Sequence, residues 1–152
     1  MRWIFIDKFV EIKKNSYAKA IKNITLGEDH IHDQYPSYPI MPHSLIIEAM
    51  AQTSGILAGY SLEFKKNIFL AKIEKVSFND MARPGEQLIL ESWIEDLRDE
   101  GCKARATVSI DDRQIGEASL MFVCMTNDGT PDIDSDDFIF SRELLSVLNV
   151  KM

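Results

Sequence analysis

The segment at positions 43–60 most strongly limits what this chain can fold into, because it is apolar on nearly every face of a helix. Glu48 is its only residue of certain charge. A helix that is apolar all round is buried inside a protein rather than lying on its surface. Pro42 before the segment and Gly59 near its end are typical helix start and stop signals. The sequence therefore predicts one long helix that other elements surround.

Glu48 is the most informative residue of this helix. Burying a lone carboxylate costs several kcal/mol unless the group is paired, hydrogen-bonded or protonated. A buried carboxylic acid can also serve as a proton donor near neutral pH. The simpler alternatives are a hydrogen bond to Gln52, one turn further on, or a side chain that faces solvent. The apolar neighbours argue against solvent, so we expect a functional role for Glu48.

The remainder of the chain is rich in strand-like runs separated by short turns. Before the helix these runs are 3–6, 9–12 and 17–24, and after it they are 68–78, 87–97, 102–110 and 114–125. Few long helical patterns accompany them, and the later strands follow one another closely. The pattern predicts an α+β fold in which a curved antiparallel sheet wraps around the helix.

A long connection, positions 26–42, separates the early strands from the helix and is expected to lack regular structure. Loops of this length in a small domain are usually functional. His30 and His32 lie in it and His43 follows it, but no zinc-type spacing of Cys and His exists. We therefore expect no metal and no other cofactor, and we expect His30 and His32 to be surface residues.

The C-terminal part of the chain differs in character from the rest. Positions 126–140 are acidic, and a short amphipathic helix is expected from 140 to 150, capped by Ser141. We therefore divide the 152 residues into a domain at 1–125 and an appendage at 126–152. The appendage carries five Asp and one Glu against one Arg and one Lys, so it contributes −4 of the net charge of −7.

Charge and composition exclude several classes of protein. The net charge of −7 argues against nucleic acid as the main partner, since phosphate binding needs clustered Lys and Arg. The two cysteines do not form a disulfide framework. Neither a signal peptide nor a membrane span is recognisable. We expect a cytoplasmic protein.

The stretch from Pro36 to Gln52 resembles the signature of the FabA/FabZ-type 3-hydroxyacyl-[acyl-carrier-protein] dehydratases, H-F-P-x-x-P-x-M-P-G-V-L-x-x-E-A-M-A-Q. The resemblance continues through 20–25, 69–78, 84–88 and 117–122, so it covers about residues 3 to 125. It implies the hotdog fold, with the helix at 43–60 inside the curved sheet. It also implies a homodimer, often assembled as a trimer of dimers, with active sites at the dimer interface.

The resemblance also implies catalytic roles. In that family the histidine of H-F-P abstracts the α-proton of a 3-hydroxyacyl thioester, and a helix carboxylate from the partner subunit protonates the departing hydroxyl. Glu48 takes the carboxylate position, but Gln34 stands where the family has its histidine, and an amide is no base. His43 replaces the glycine that begins the helix. The same alignment places the remaining substrate-binding candidates at Tyr35, Pro42, Ser44 and Gln52.

Three interpretations of this altered site stay open. Dehydration is retained, with His43 or His32 as base or with Glu48 as both base and acid. The helix N-terminus favours a neutral imidazole, which makes His43 the better candidate. Alternatively the pocket is a thioesterase that uses Glu48 with Gln34, or it is inactive and binds acyl chains or an active homologue. We take dehydration in fatty-acid or specialised lipid biosynthesis as the leading interpretation.

The expected substrate is a thioester of acyl carrier protein or of coenzyme A. Carrier protein is acidic, so basic side chains are expected at its docking site. The family's basic pair before the proline turn is replaced here by Asn79 and Asp80. The remaining candidates are Lys65, Lys66, Lys72, Lys75 and Arg83.

Overall fold

One antiparallel sheet of six strands, in the order β1-β2-β4-β5-β6-β3, carries a long helix on one face. The computed structural model describes residues 3–33, 35–126 and 140–151. The elements are β1 (Lys8–Lys13), β2 (Tyr17–Asn23), α1 (Asp29–Asp33), α2 (His43–Ser61), β3 (Asn67–Phe78), β4 (Gln87–Leu97), β5 (Gly101–Ile110), β6 (Arg113–Met125) and α3 (Arg142–Val147). The predicted α+β architecture is confirmed.

Helix α2 is buried against the sheet along its central and C-terminal turns. Every residue from Ala49 to Gly59 is buried. Strands β4, β5 and β6 alternate buried and less buried residues, as expected for a sheet with one face on a core. The helix packs directly on the sheet: a Cβ added at Gly55 would make an ordinary contact, 3.7 Å, with Cε1 of Phe122 on β6. The helix is therefore positioned directly by the sheet.

Two early segments differ from the sequence prediction. Residues 3–6 are not a strand, although they are apolar and β-rich, because no neighbouring strand pairs with them in the described structure. The connection at 26–42, expected to be irregular, contains the short helix α1. The Glu28 side chain accepts a hydrogen bond from the backbone N–H of Thr25, 2.9 Å away. This contact closes the turn that directly precedes α1.

Strand β3 is an open edge of the sheet. It pairs with β6, and no strand among the described residues pairs with its other side. Its large apolar side chains are about 40% exposed on both faces: Phe69 (40%), Leu70 (39%), Ile73 (40%) and Val76 (38%). An exposed apolar edge strand is a template for pairing with another chain. This edge is accordingly the part of the single chain that most needs a partner.

The opposite edge, β1, is covered by the C-terminal segment. A helix forms where the sequence predicts one, but α3 is shorter than the expected 140–150, and the Ser141 side chain caps it by accepting from the Leu144 N–H at 3.3 Å. The Phe9 N–H of β1 donates to the Leu148 carbonyl at 2.7 Å, and Asn149 Nδ2 donates to the Phe9 carbonyl at 3.0 Å. The C-terminal helix and the residues after it are thus docked on their own chain.

The acidic connector lies largely at positions 127–139, outside the described residues. The division into 1–125 and 126–152 therefore stays a prediction. No helix in the described parts of the chain is long and apolar enough to cross a membrane.

Candidate active site

The start of α2 is pinned to the turn between β3 and β4. The Met41 N–H donates to the Ala82 carbonyl at 2.9 Å, and Met41 and Ala82 are fully buried. Pro42 occupies the N-cap position, where it has no side-chain oxygen to cap the helix. The Leu45 and Ile46 N–H groups already donate to the Pro42 carbonyl, at 3.0 and 3.2 Å, so the His43 and Ser44 N–H groups, at the positive end of the helix dipole, are the candidates for binding a ligand oxygen.

Glu48 lies on the exposed face of α2, together with Ser44 one turn earlier. The expectation that apolar neighbours shield Glu48 is wrong for the single chain. The sheet covers α2 from Ala49 onwards, whereas no described element of the same chain covers the face that carries Ser44 and Glu48. The simpler alternative, a bond to Gln52, is present: Gln52 Nε2 donates to Glu48 Oε1 at 2.9 Å.

Gln52 is buried, and its amide joins Glu48 to the N-terminal segment. Gln52 Oε1 accepts from the Phe5 N–H at 2.9 Å, and Gln52 Nε2 donates to the Trp3 carbonyl at 2.8 Å. Residues 3–6 therefore contribute to the site through their backbone although they form no strand.

His43, the first residue of α2, is held on two sides. Its ring is stacked on the Phe78 ring, with centroids 4.1 Å apart and planes at 4°. Its Nε2 lies 2.9 Å from the Asp80 carbonyl. A carbonyl only accepts, so Nε2 carries the proton and Nδ1 holds the lone pair. The arrangement fixes both the orientation and the tautomer of the imidazole.

The residues behind His43 are themselves constrained. The Met81 N–H and the Arg113 guanidinium bond the Asp80 carboxylate and lower the pKa of Asp80. Phe78 lies over Gly116 of β6, where an added Cβ would be 2.6 Å from Phe78 Cε1. Gly116 thus makes room for the ring on which His43 is stacked.

The other predicted residues have different surroundings. Tyr35 is half exposed, and Pro42 is buried. Gln34, which stands at the family's histidine position, lies outside the described residues. His32 is exposed, as expected, and its Nε2 donates to the Leu26 carbonyl at 2.6 Å. His32 shares no described contact with the start of α2.

His30 is buried, so the prediction of a surface histidine is wrong for it. Its ring packs edge-on against Phe5, with centroids 5.7 Å apart. Its Nε2 has no hydrogen-bond partner among the described residues, and the nearest carboxylate oxygen, on Glu28, is 3.6 Å away. Burial lowers the pKa of His30, although Glu28 opposes this. The surroundings of His30 are those of a core residue.

A FabA-like domain matches residues 2–119. The chain belongs to the FabA-like family. Its relatives include the 3-hydroxyacyl-[acyl-carrier-protein] dehydratase FabZ of Caldicellulosiruptor bescii, 36% identical over 121 residues, which cover 79% of this chain and 86% of that protein. FabZ of Thermoanaerobacter sp. strain X514 is 37% identical over 128 residues, covering 84% and 89%.

Solved structures resemble the FabA-like chain in fold. The structure of smu.793 from Streptococcus mutans UA159, bound to acetyl CoA, has a TM-score of 0.67 at 11% identity and covers 83% of this chain and 94% of that one. A hypothetical thioesterase from Streptococcus pneumoniae TIGR4, with coenzyme A, has a TM-score of 0.64 at 8% identity, covering 78% and 88%. The hotdog fold implied by the sequence is confirmed.

Sequence reasoning missed the groups of this FabA-like chain that hold His43 in place. They are Phe78, the Asp80 carbonyl and Gly116. One signal was available for Gly116, because an isolated glycine inside a strand often marks a close approach by another group. The stacking partner and the carbonyl are set by tertiary packing, for which no local pattern exists.

Proposed function

We propose that this chain is a 3-hydroxyacyl thioester dehydratase that acts in the cytoplasm in fatty-acid or specialised lipid biosynthesis. It removes water from a 3-hydroxyacyl thioester and forms the trans-2-enoyl thioester. The observation that carries the proposal is Glu48, oriented by Gln52 on the open face of α2 in a chain of the FabA-like family. The curated FabZ relatives bear the name of this activity.

His43 is the proposed base. Its Nε2–H is engaged by the Asp80 carbonyl, so the lone pair on Nδ1 is the group that takes the α-proton. The uncapped amides at the start of α2 support binding of the thioester carbonyl oxygen, where negative charge develops.

The acid and the base are proposed to come from different copies of the chain. His43 and Glu48 are five residues apart on one helix, so they point about 140° away from each other around its axis. One helix therefore does not present both groups to one substrate. Glu48 of a second copy, brought in by a homodimer, supplies the acid and becomes shielded from water in the same step. Trimers of such dimers are a further assembly that the family resemblance suggests.

The open edge at β3 is the proposed dimer surface, and β3 ends at Phe78, beside His43. Ile73→Lys on β3 is expected to yield monomers in sedimentation velocity and to lose activity. Val10→Lys is the matched control, because Val10 is also exposed (55%) but lies on β1, the edge covered by the C-terminal segment. Equal dissociation by both variants would contradict this choice of interface.

The substrate is proposed to be a thioester of acyl carrier protein, with the coenzyme A thioester as the alternative. Several of the basic candidates are engaged by carboxylates of their own chain: Lys65 with Glu63 at 2.5 Å, Lys66 with Asp99 at 2.6 Å and Lys75 with Glu117 at 3.8 Å. Arg83 instead donates to the hydroxyl of the half-exposed Tyr38, at 3.2 Å. Arg83 is therefore preferred over these three lysines for contact with an acidic carrier.

The experiment is to incubate the protein with 3-hydroxyacyl thioesters of carrier protein and of coenzyme A, and to follow loss of water by mass spectrometry and release of free thiol separately. Glu48→Gln and His43→Gly should each lower dehydration by about 10²- to 10⁴-fold. His32→Gln, an exposed histidine variant, should change nothing.

Each of the remaining outcomes would change the proposed function in a specific way. Free thiol in place of the enoyl product would make the chain a thioesterase, and no reaction with either thioester would make it a non-catalytic acyl-binding or partner subunit. Unchanged dehydration by His43→Gly would remove His43 as the base. A gain of dehydration in Gln34→His would mean that the family's histidine position is still usable.

A further inference from the structure

The side-chain amide of Gln52 can be placed with its oxygen and nitrogen in either of two positions, and its neighbours allow only one of them. The Phe5 N–H is only a donor and the Trp3 carbonyl is only an acceptor, and they lie 2.9 and 2.8 Å from Gln52 Oε1 and Nε2. A flipped amide would place oxygen against oxygen and nitrogen against N–H. Nε2 is therefore the atom that faces Glu48, and the backbone of residues 3–5 decides this.

We infer that Gln52 is a positioning residue for Glu48 that determines which carboxyl oxygen delivers the proton. Both hydrogens of Gln52 Nε2 are used, one on the Trp3 carbonyl and one on Glu48 Oε1 at 2.9 Å. Oε1 is thereby committed as an acceptor, so in the protonated acid the transferable hydrogen is on Oε2. This inference rests on the proposed dehydratase function and adds to it the N-terminal segment as part of the acid's support.

The support behind Glu48 is rigid although Glu48 itself is exposed. Gln52 is 8% exposed and Phe5 is 5% exposed. The Phe5 ring packs edge-on against Trp3 on one side, at 5.8 Å, and against His30 on the other, at 5.7 Å. An exposed glutamate normally samples many rotamers. A buried amide fixed at three points restricts that freedom and leaves one oxygen pointed for reaction.

The proposed elimination uses one base and one acid. His43 Nδ1 takes a proton from C2 of the substrate, and the electrons of that C–H bond become the second bond between C2 and C3. The C3–O bond breaks with its electron pair remaining on oxygen, and Glu48 Oε2 gives its proton to that oxygen to form water. The products are the enoyl thioester, water, the imidazolium and the carboxylate. Proton exchange with solvent returns both groups to their starting forms.

The test uses a leaving group that needs no proton. Gln52→Leu removes the bond to Glu48 and is expected to lower kcat on the 3-hydroxyacyl thioester by about 10- to 100-fold, with KM changed by less than about twofold. On the 3-chloroacyl thioester, corrected for uncatalysed loss of chloride, the same variant should match the wild type within about threefold, because chloride departs unprotonated. Glu48→Gln should show the same rescue.

Two further variants separate positioning from general damage to the helix. Gln52→Glu keeps the acceptor for the Phe5 N–H and nearly the same shape, but its carboxylate donates no hydrogen bond to Glu48. Its kcat should therefore fall as in Gln52→Leu. This second variant keeps the test valid if Gln52→Leu folds poorly. Thr53→Val is the matched control. Thr53 is fully buried on the same helix and its hydroxyl donates to the Ala49 carbonyl, at 2.8 Å, away from Glu48, so both substrates should react normally.

The outcomes distinguish this inference from the proposed function. Normal kcat in the Gln52 variants, with loss in Glu48→Gln, would overturn the positioning role and leave the dehydratase intact. Equal loss on the hydroxy and chloro substrates would also overturn it, because that pattern is structural damage. Absence of dehydration by the wild type would refute the proposed function and this inference with it.

Discussion

The stack of Gly116, Phe78 and His43 gives the sharpest test of how the site is built. In Gly116→Ala the new Cβ would lie 2.6 Å from Phe78 Cε1 and 3.1 Å from the Ser77 carbonyl oxygen. Carbon atoms in contact prefer about 3.5–4.0 Å, so the ring must move by about 1 Å. His43 is stacked on Phe78 at 4.1 Å and has to move with it.

The expected cost follows from overpacking. Extra methyl groups in a packed site destabilise by about 1–3 kcal/mol, and in a chain of this size each kcal/mol lowers Tm by about 2–4 °C. Gly116→Ala should therefore lower Tm by about 2–12 °C in calorimetry. It should also lower kcat for dehydration by at least about tenfold, because a shift of about 1 Å misplaces the base.

Gly55→Ala is the control, since the same atom is added in the middle of α2. Its Cβ would meet Phe122 Cε1 at 3.7 Å, an ordinary contact. Alanine is favoured over glycine in a helix interior by about 0.5–1 kcal/mol, so Tm should rise slightly while kcat stays unchanged. A Gly116→Ala protein with the Tm and kcat of the wild type would refute the reasoning, because it would show that the added methyl group fits without displacing Phe78.

Three other variants or treatments test the fold. Burial lowers the pKa of His30, so the unfolded chain binds a proton that the folded chain does not, and stability falls as the pH drops below about 6.5. His30→Phe should therefore gain in urea midpoint over the wild type on going from pH 7.5 to about 5.5. Leu145→Ala should cost about 2–4 kcal/mol in urea unfolding, since Leu145 is 1% exposed under α3. Burial raises the pKa of Cys102 to about 12, so iodoacetamide at about pH 8 should modify this thiol only after denaturation.

Much of the fold is encoded by local patterns. The apolar run that begins after Pro42 predicts α2 to within one residue at each end, and the strand-like runs after it match β3 to β6 closely. These segments succeed because their burial pattern and their local propensity agree. Residues 3–6 fail because a β-rich run forms a strand only when another strand is beside it.

The site is harder to predict from the sequence than the fold, for a related reason. Helix spacing alone predicts the hydrogen bond between Glu48 and Gln52, because it places them one turn apart. The exposure of the Glu48 side chain depends on where the sheet ends, and no local sequence pattern predicts that. His43 is likewise found by its position in the motif, whereas its tautomer is set by the carbonyl of Asp80, 37 residues away in sequence.

The two edge strands of the sheet, β1 and β3, differ in a way that controls whether further copies of the chain can be added. At β1 the backbone N–H of Phe9 is already taken by Leu148 of the same chain, while no strand among the described residues pairs with the outer side of β3. A sheet with two open ends can add copies without limit and build a filament. A sheet that is blocked at one end can add only one copy, because the second copy brings a blocked end of its own. In the dimer proposed to form through β3, both outer edges of the sheet would be blocked by C-terminal segments, which would end growth of the sheet at two copies.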